Sequence, residues 1–181
     1  NLVDVDLRIT SVQSSTNVLW AGDPVTISWT GTNDTGYALM GEWTDAVYLS
    51  LDDLWDYADI PMGSIAQTGG LPAGQAYAKN LATVVPGVLP TNYYLIVRAD
   101  FFNQEMEAGD EGNNVTVIGP FPLYVHPLAT NGAASAGALS AADRWDYYVR
   151  RLGPGENLRL TLDATGANAV TELYAGMGVL P

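Results

Sequence analysis

The chain has 181 residues, 48% of them hydrophobic, and a formal net charge of −13 from twenty acidic and seven basic residues. So acidic a surface repels phosphate backbones and anionic lipid head groups, which disfavours nucleic acid and membrane surfaces as partners. Cysteine is absent, which excludes disulfides, thiolate metal sites and cysteine nucleophiles. No apolar run approaches the roughly 20 residues of a membrane span. The chain begins at Asn1 rather than Met, which indicates a processed, trimmed or excised polypeptide.

Alternating hydrophobicity predicts a series of short strands in the first part of the chain. Turn signals such as WAGDP and GGLPAGQ separate them. Strands at roughly this spacing, without a helical period, predict an antiparallel immunoglobulin-like sandwich of about seven strands, with a barrel as the weaker alternative. The predicted strands are DVDLRITSV, PVTISWTGTN, EWTDAVYLS, AYAKNLATVV, TNYYLIVRADF and NNVTVIGPFPLYV.

The composition changes near residue 127. We expect a sandwich over residues 1–126, an Ala/Gly/Ser-rich linker over 127–138, and a second β unit over 139–181. Three strands in this second unit make a poor independent domain, because burying both faces of a sheet usually takes more strands. No closing strand follows, so we expect the second unit to be incomplete. Its predicted strands are RWDYYVRRL, ENLRLTLDA and NAVTELYAG.

An acidic loop follows the strand EWTDAVYLS. Asp52, Asp56 and Asp59 lie close together there and are candidate calcium ligands, because calcium prefers clustered carboxylate and carbonyl oxygens. The spacing is not that of an EF-hand, and a solvated acidic turn is the favoured interpretation of this loop. Asp45 lies within the strand and shares a face with Trp43, so a hydrogen-bonded structural network with a neighbouring strand is the favoured role.

A second acidic string, NQEMEAGDEGNN, contains Glu105, Glu107, Asp110 and Glu111. Its glycines and asparagines favour a turn between strands, and a calcium role is the less favoured alternative.

Catalytic motifs are missing from the sequence. The one histidine, His126, precedes Pro127 at the predicted junction, and neither GxSxG nor HExxH is present. Glycoside hydrolysis needs two carboxylates at a defined separation, and the many acids here offer no preferred pair. We therefore predict that the chain is not an enzyme, with a hydrolase kept as the remainder.

Two of the five tryptophans are candidates for sugar stacking. Trp29 and Trp43 lie on apolar strand faces and are predicted core residues, whereas Trp20 and Trp55 lie in loops. Asn33 in NDT and Asn114 in NVT also match the N-glycosylation pattern.

Residues 1 to about 118 resemble the CARDB-type, cell-adhesion-related domain of bacterial surface proteins. This resemblance implies an immunoglobulin-like sandwich without enzymatic activity, often found in tandem in secreted or cell-wall proteins. The strings that carry it are DLRITSV, GDPVTISWTGTN, WTDAVYLSLD, GGLPAGQAY, NYYLIVRAD and NQEMEAGDEGNN.

Residues 139 to 178 look like the first half of a bacterial pre-peptidase C-terminal-type domain. The resemblance lies in the YYxV, PGxxLxxxLD and LY elements of the segment, and the later strands of that family are absent. It implies a small jelly-roll-like sandwich, either cut from a longer protein or completed by a neighbouring copy. Both resemblances imply an extracellular or cell-surface location in a multi-module protein.

Two functions remain open at this point. The first is a structural or adhesive module that assembles with copies of itself, or with neighbouring repeats, through strand complementation of the incomplete second unit. The second is a calcium-dependent module that binds glycans or a surface protein and is appended to a secreted enzyme. The only cofactor expected in either case is calcium.

Overall fold

The computed structural model describes residues 6–107, 111–130, 133–137, 145–163 and 171–176. Short strands account for the regular structure of these ranges, and a 3-10 turn, Glu111–Asn114, precedes the eighth strand. No helix within them is long and apolar enough to cross a membrane. The strands are β1 Leu7–Ser14, β2 Leu19–Trp20, β3 Pro24–Asn33, β4 Trp43–Ser50, β5 Ile60–Gln67, β6 Ala76–Val84, β7 Asn92–Arg98, β8 Val115–Tyr124, β9 His126–Pro127 and β10 Tyr148–Val149.

Two sheets form a sandwich. One has three strands in the order β1-β3-β6, and the other has five in the order β2-β8-β7-β4-β5. All neighbours in them are antiparallel except the short edge strand β2, which runs parallel to β8. The predicted antiparallel immunoglobulin-like β-sandwich is therefore confirmed.

The main core lies between the two sheets. In β3, residues at alternate positions are buried, so Val25, Ile27 and Trp29 face the partner sheet. Trp43 of β4 meets them from the other side and is fully buried. The predicted core positions of Trp29 and Trp43 are thus confirmed. Each such side chain contributes about 1.5–3 kcal/mol through removal of apolar surface from water.

The five-stranded sheet buries residues on its outer face as well, the face turned away from the three-stranded sheet. Ala46, Tyr48 and Ile96 form a second, smaller cluster there. Trp55, from the loop after β4, and Phe101, from the turn after β7, pack against it. Both connections therefore fold back over the sheet, and they bring polar and aromatic loop residues together on one surface.

The described part of the chain after β9 has little regular secondary structure. Of the three strands predicted for the second unit, Tyr148–Val149 pairs in parallel with His126–Pro127, and the rest of the described range 150–163 contains no strand. A strand needs a hydrogen-bonded neighbour, and the described residues supply none for ENLRLTLDA. Part of NAVTELYAG lies outside the described residues, and 171–176 has no strand. The second sandwich and the domain boundaries stay predictions.

Tyr147 anchors this C-terminal segment to the sandwich. Its ring packs against the main core, close to Gly22 and Gly87. A Cβ at Gly87 would lie 2.2 Å from Cε1 of Tyr147, so the ring fills the space that a side chain at position 87 would occupy. The Leu128 backbone N–H also donates to the Val149 carbonyl at 2.9 Å.

Candidate functional site

The aspartates of the loop between β4 and β5 hold the turns of that loop. Asp52 Oδ1 accepts from the Leu54 backbone N–H at 2.9 Å, and Asp56 Oδ1 accepts from Ala58 at 2.6 Å. Asp59 Oδ2 accepts from the Asp56 N–H at 2.9 Å. These are the local side-chain bonds that favour aspartate in turns.

These carboxylates do not converge on a common point. In the parts of the chain that the structure describes, no group of three His, Cys, Asp or Glu side chains is placed to hold a metal ion. Calcium binding by Asp52, Asp56 and Asp59 is therefore not confirmed. It stays a prediction.

Five rings form a continuous series on the outer face, which we call the aromatic row. Tyr57 lies 5.4 Å from Trp55, and Trp55 lies 6.1 Å from Tyr48, measured between ring centroids. The series continues from Tyr48 to Phe101 at 5.8 Å and from Phe101 to Phe102 at 4.7 Å. All of these pairs are tilted or edge-on, the geometries that the ring quadrupoles favour.

Arg98 of β7 places its guanidinium inside the aromatic row. Its Cζ lies 4.4 Å from the centroid of the Trp55 ring and 5.7 Å from that of Phe101. Its Nη2 also donates to Asn103 Oδ1 at 3.2 Å. The row thus binds one cation of its own chain through the negative faces of its rings.

Trp20 lies on the same outer face, at the β2 edge of the sheet. Its neighbour Leu19 faces the core, so strand alternation turns Trp20 outward. The Trp20 ring stacks on His126 with centroids 4.6 Å apart and lies 5.2 Å from Tyr124. Nε2 of His126 in turn lies 2.9 Å from Asp23 Oδ1. Trp20 and Trp55 are both half-buried, and their predicted roles in ligand binding stay predictions.

The Asp45 side chain links the two sheets through hydrogen bonds inside the core. It is fully buried, and its Oδ2 accepts from Trp29 Nε1 at 2.7 Å and from the Tyr77 hydroxyl at 2.8 Å. Its Oδ1 accepts from the Asp100 backbone N–H at 3.3 Å. The predicted structural network at Asp45 is therefore confirmed. Burial raises the pKa of the Asp45 carboxyl, and the hydrogen bonds from Trp29 and Tyr77 oppose that rise.

Side-chain hydrogen bonds hold the turn after β7 and the second acidic string that follows it. Asp100 has a φ of 43° and accepts from the backbone N–H groups of Gln104 and Glu105, both at 2.8 Å. Burial, and then the charge of Asp100, raise the pKa of Glu105. Glu107 accepts from the side chain of Asn114 at 3.0 Å. Asp110 lies outside the described residues. The predicted turn role fits these bonds.

Both asparagines of the glycosylation pattern are buried. Asn33 is 0% exposed, and its amide donates to the carbonyls of Tyr37 and Leu71 at 2.7 and 3.1 Å. Asn114 is 1% exposed, and its amide donates to Glu107. In the folded chain these nitrogens are enclosed, so a glycan would have to be attached before folding. Modification of Asn33 and Asn114 stays a prediction.

No family model matches the chain, and no curated protein matches it. Among solved structures, it is similar to the CARDB domain of a Pyrococcus furiosus protein described in complex with di-metal ions, with a TM-score of 0.48 and 14% identity. That match covers 67% of this chain and 94% of the other.

Enzymes also contain modules similar to this chain. A β-glucosidase from Erythrobacter marinus matches with a TM-score of 0.45 and 13% identity over 66% of this chain and 16% of the enzyme. A β-glucosidase from Listeria innocua matches with a TM-score of 0.42 and 14% identity, again over 66% of this chain and 16% of the enzyme. This chain thus spans about a sixth of the length of each enzyme.

Proposed function

We propose that the chain is a non-catalytic structural or adhesive module of the cell exterior, which assembles with copies of itself or with neighbouring repeats through strand complementation by its C-terminal segment. The observation that carries this proposal is the exposure of that segment. Large apolar side chains in it are about half exposed, and beyond β10 its described backbone is not paired in any sheet. The side chains are Trp145, Leu152, Leu158, Leu162, Leu173 and Tyr174.

Extended segments with alternating apolar residues are the usual material of strand complementation. Leu158, Leu160 and Leu162 alternate with Arg159 and Thr161, so in an extended conformation the leucines share one side. Pairing with a neighbouring copy would satisfy the backbone and cover the leucines at the same time.

Sedimentation of the full chain tests this proposal. The double substitution Leu158→Ser and Leu162→Ser is expected to weaken self-association, because it removes the apolar side of the segment. Leu89→Ser is the control, since Leu89 is exposed to a similar extent (49%, against 47% and 46%) but lies outside the C-terminal segment, in the connection between β6 and β7. Equal weakening by both variants, or by neither, would contradict strand complementation.

The aromatic row favours a second candidate function, a glycan- or partner-binding module appended to a secreted enzyme. Trp55 lies in the row beside Tyr57, whose side chain is 96% exposed. Titration with neutral oligosaccharides, with calcium and then with a chelator, tests this candidate through tryptophan fluorescence. A saturable change that Tyr57→Ala abolishes would support it, and a flat titration in both conditions would contradict it.

A further inference from the structure

Charge is unevenly distributed along the chain. Four of the seven basic residues lie between positions 144 and 159, whereas the sandwich carries most of the acids. Arg150, Arg151 and Arg159 are exposed. Within the described residues Arg8 forms a salt bridge with Asp34 and Nε2 of His126 lies beside Asp23, so neither contact involves these three arginines. In its described part, the C-terminal segment therefore presents guanidinium groups without a described ion-pair partner, beside exposed leucines.

The aromatic row is the surface of the sandwich that already binds a guanidinium. Arg98 occupies the space between Trp55 and Phe101, and the ends of the row extend beyond it. Tyr57 at one end is 96% exposed and Phe102 at the other is 65% exposed. Both cation–π pairs among the described residues are made by Arg98, with Trp55 and Phe101. Among these residues, therefore, no arginine of the same chain lies over Tyr57 or Phe102 at the ends of the row.

Acidic side chains border the same surface. Asp52, Asp53 and Asp56 are exposed on the loop that carries Trp55 and Tyr57. A guanidinium that approaches Tyr57 therefore meets both a ring face and a negative potential, and arginine binds favourably to each of these. A neutral sugar would use neither the charge nor the face of Trp55 that Arg98 occupies.

We infer that the exposed ends of the aromatic row, Tyr57 and Phe102, bind the arginine-bearing C-terminal segment of a second copy of this chain. This inference rests on the proposed function and names the surface that the segment contacts on its neighbour. Arg150, Arg151 and Arg159 supply the guanidinium groups, and the loop aspartates supply the complementary charge. Because donor and acceptor are different surfaces, the contact is head-to-tail, and repeated contacts would give an open filament.

A complementation experiment with two full-length variants tests the inference. The acceptor variant carries Tyr57→Ala and Phe102→Ala and keeps its C-terminal segment, while the donor variant carries Arg150→Glu, Arg151→Glu and Arg159→Glu and keeps its aromatic row. Either variant alone is expected to self-associate at least about fourfold more weakly than the unsubstituted chain, since each lost cation–π contact accounts for about two- to fivefold. Their mixture is expected to form a one-to-one dimer, because the intact segment of one meets the intact row of the other.

Controls are available within the chain. Tyr37→Ala removes an exposed tyrosine (59%) that is not part of the row, and Arg8→Gln removes an arginine of the sandwich; both are expected to leave association unchanged. The association of the unsubstituted chain is also expected to weaken as salt rises, because salt screens exposed charges.

The outcomes separate this inference from the proposed function. Association that persists unchanged in the acceptor variant, or a mixture that stays monomeric, would overturn the inference and leave strand complementation standing. An unsubstituted chain that never associates would overturn both. Neutral oligosaccharide that binds at the row while association stays unchanged would assign the surface to glycans instead.

Discussion

Asp45 is the residue on which the inside of the sandwich depends most. It lies on β4 of one sheet and accepts hydrogen bonds from Trp29 on β3 and Tyr77 on β6 of the other. Two buried donors therefore share one carboxylate oxygen, and removing that oxygen takes away the acceptor that both of them use. The sequence indicated that Asp45 is hydrogen-bonded, because it interrupts an apolar strand face. It did not identify Tyr77, since contacts between sheets leave no local pattern.

Removing the Asp45 carboxylate is expected to destabilise the fold. Asp45→Ala leaves the Trp29 N–H and the Tyr77 hydroxyl buried without an acceptor, and we expect a loss of about 2–4 kcal/mol in the free energy of unfolding. Asp45→Asn keeps an acceptor oxygen of similar shape and is expected to lose less. Urea denaturation of the three proteins measures both values. Equal losses in the two variants would mean that the acceptor oxygen contributes nothing.

The raised pKa of Asp45 predicts a pH dependence of stability. Because burial disfavours the charged form, the folded chain holds the Asp45 proton to a higher pH than the unfolded chain does. The folded state then binds more protons, so this residue's contribution to stability falls as the pH rises from about 4, the ordinary aspartate value, to the raised pKa of the folded state. Asp45→Asn should remove this component, which urea titrations at several pH values can measure. An identical pH profile in Asp45→Asn would contradict it.

The positions of the connections after β4 and β7 could not be predicted from the pattern of apolar residues in the strands. Alternation predicted β1, β3, β4, β6, β7 and β8, but it did not predict β5, Ile60–Gln67. It did not predict that both connections fold back over the outer face, because that position depends on ring contacts between Trp55, Tyr48 and Phe101. The loop aspartates were weighed as calcium ligands or as a solvated turn, and their bonds to the backbone fit the turn. Whether the aspartate oxygens face backbone N–H groups or one another depends on the conformation of the loop, which the spacing of the aspartates in the sequence does not determine.

The Tyr147 ring fills the space beside Gly87 and holds the C-terminal segment against the sandwich. A side chain at position 87 should therefore displace that ring and release the segment. Gly87→Ala places a Cβ 2.2 Å from Tyr147 Cε1, so we expect the Tyr147 ring to be displaced and the β9–β10 pair to open. The Leu128 amide, which bonds to Val149, should then exchange its hydrogen faster while the amides of β3 and β4 stay protected.

Gly36→Ala is the matched control for this experiment. An added Cβ at Gly36 meets nothing within 4 Å, so its exchange pattern should match that of the unsubstituted chain. Unchanged exchange at Leu128 in Gly87→Ala would show that Tyr147 does not anchor the segment.

Two regions with different properties make up the described molecule. The sandwich buries its apolar residues between sheets, whereas the C-terminal segment leaves leucines and arginines exposed. Composition predicted a change near residue 127, and the charge of the whole chain predicted partners other than nucleic acid. Neither property identified a contact surface on the sandwich, because the aromatic row is assembled from β4, the loop after it and the turn after β7. A filament built from such copies would join the arginine-bearing end of one to the acidic, aromatic face of the next.

The most direct test of the central claim is sedimentation velocity of the full chain over a wide range of concentrations, first with calcium and then with a chelator. Assembly through the C-terminal segment predicts a weight-average mass that rises with concentration above the 19.3 kDa of a single chain. Loss of that rise in the chelator would make the loop aspartates Asp52, Asp56 and Asp59 the first residues to substitute. A mass that stays at 19.3 kDa at every concentration in both conditions would contradict the account.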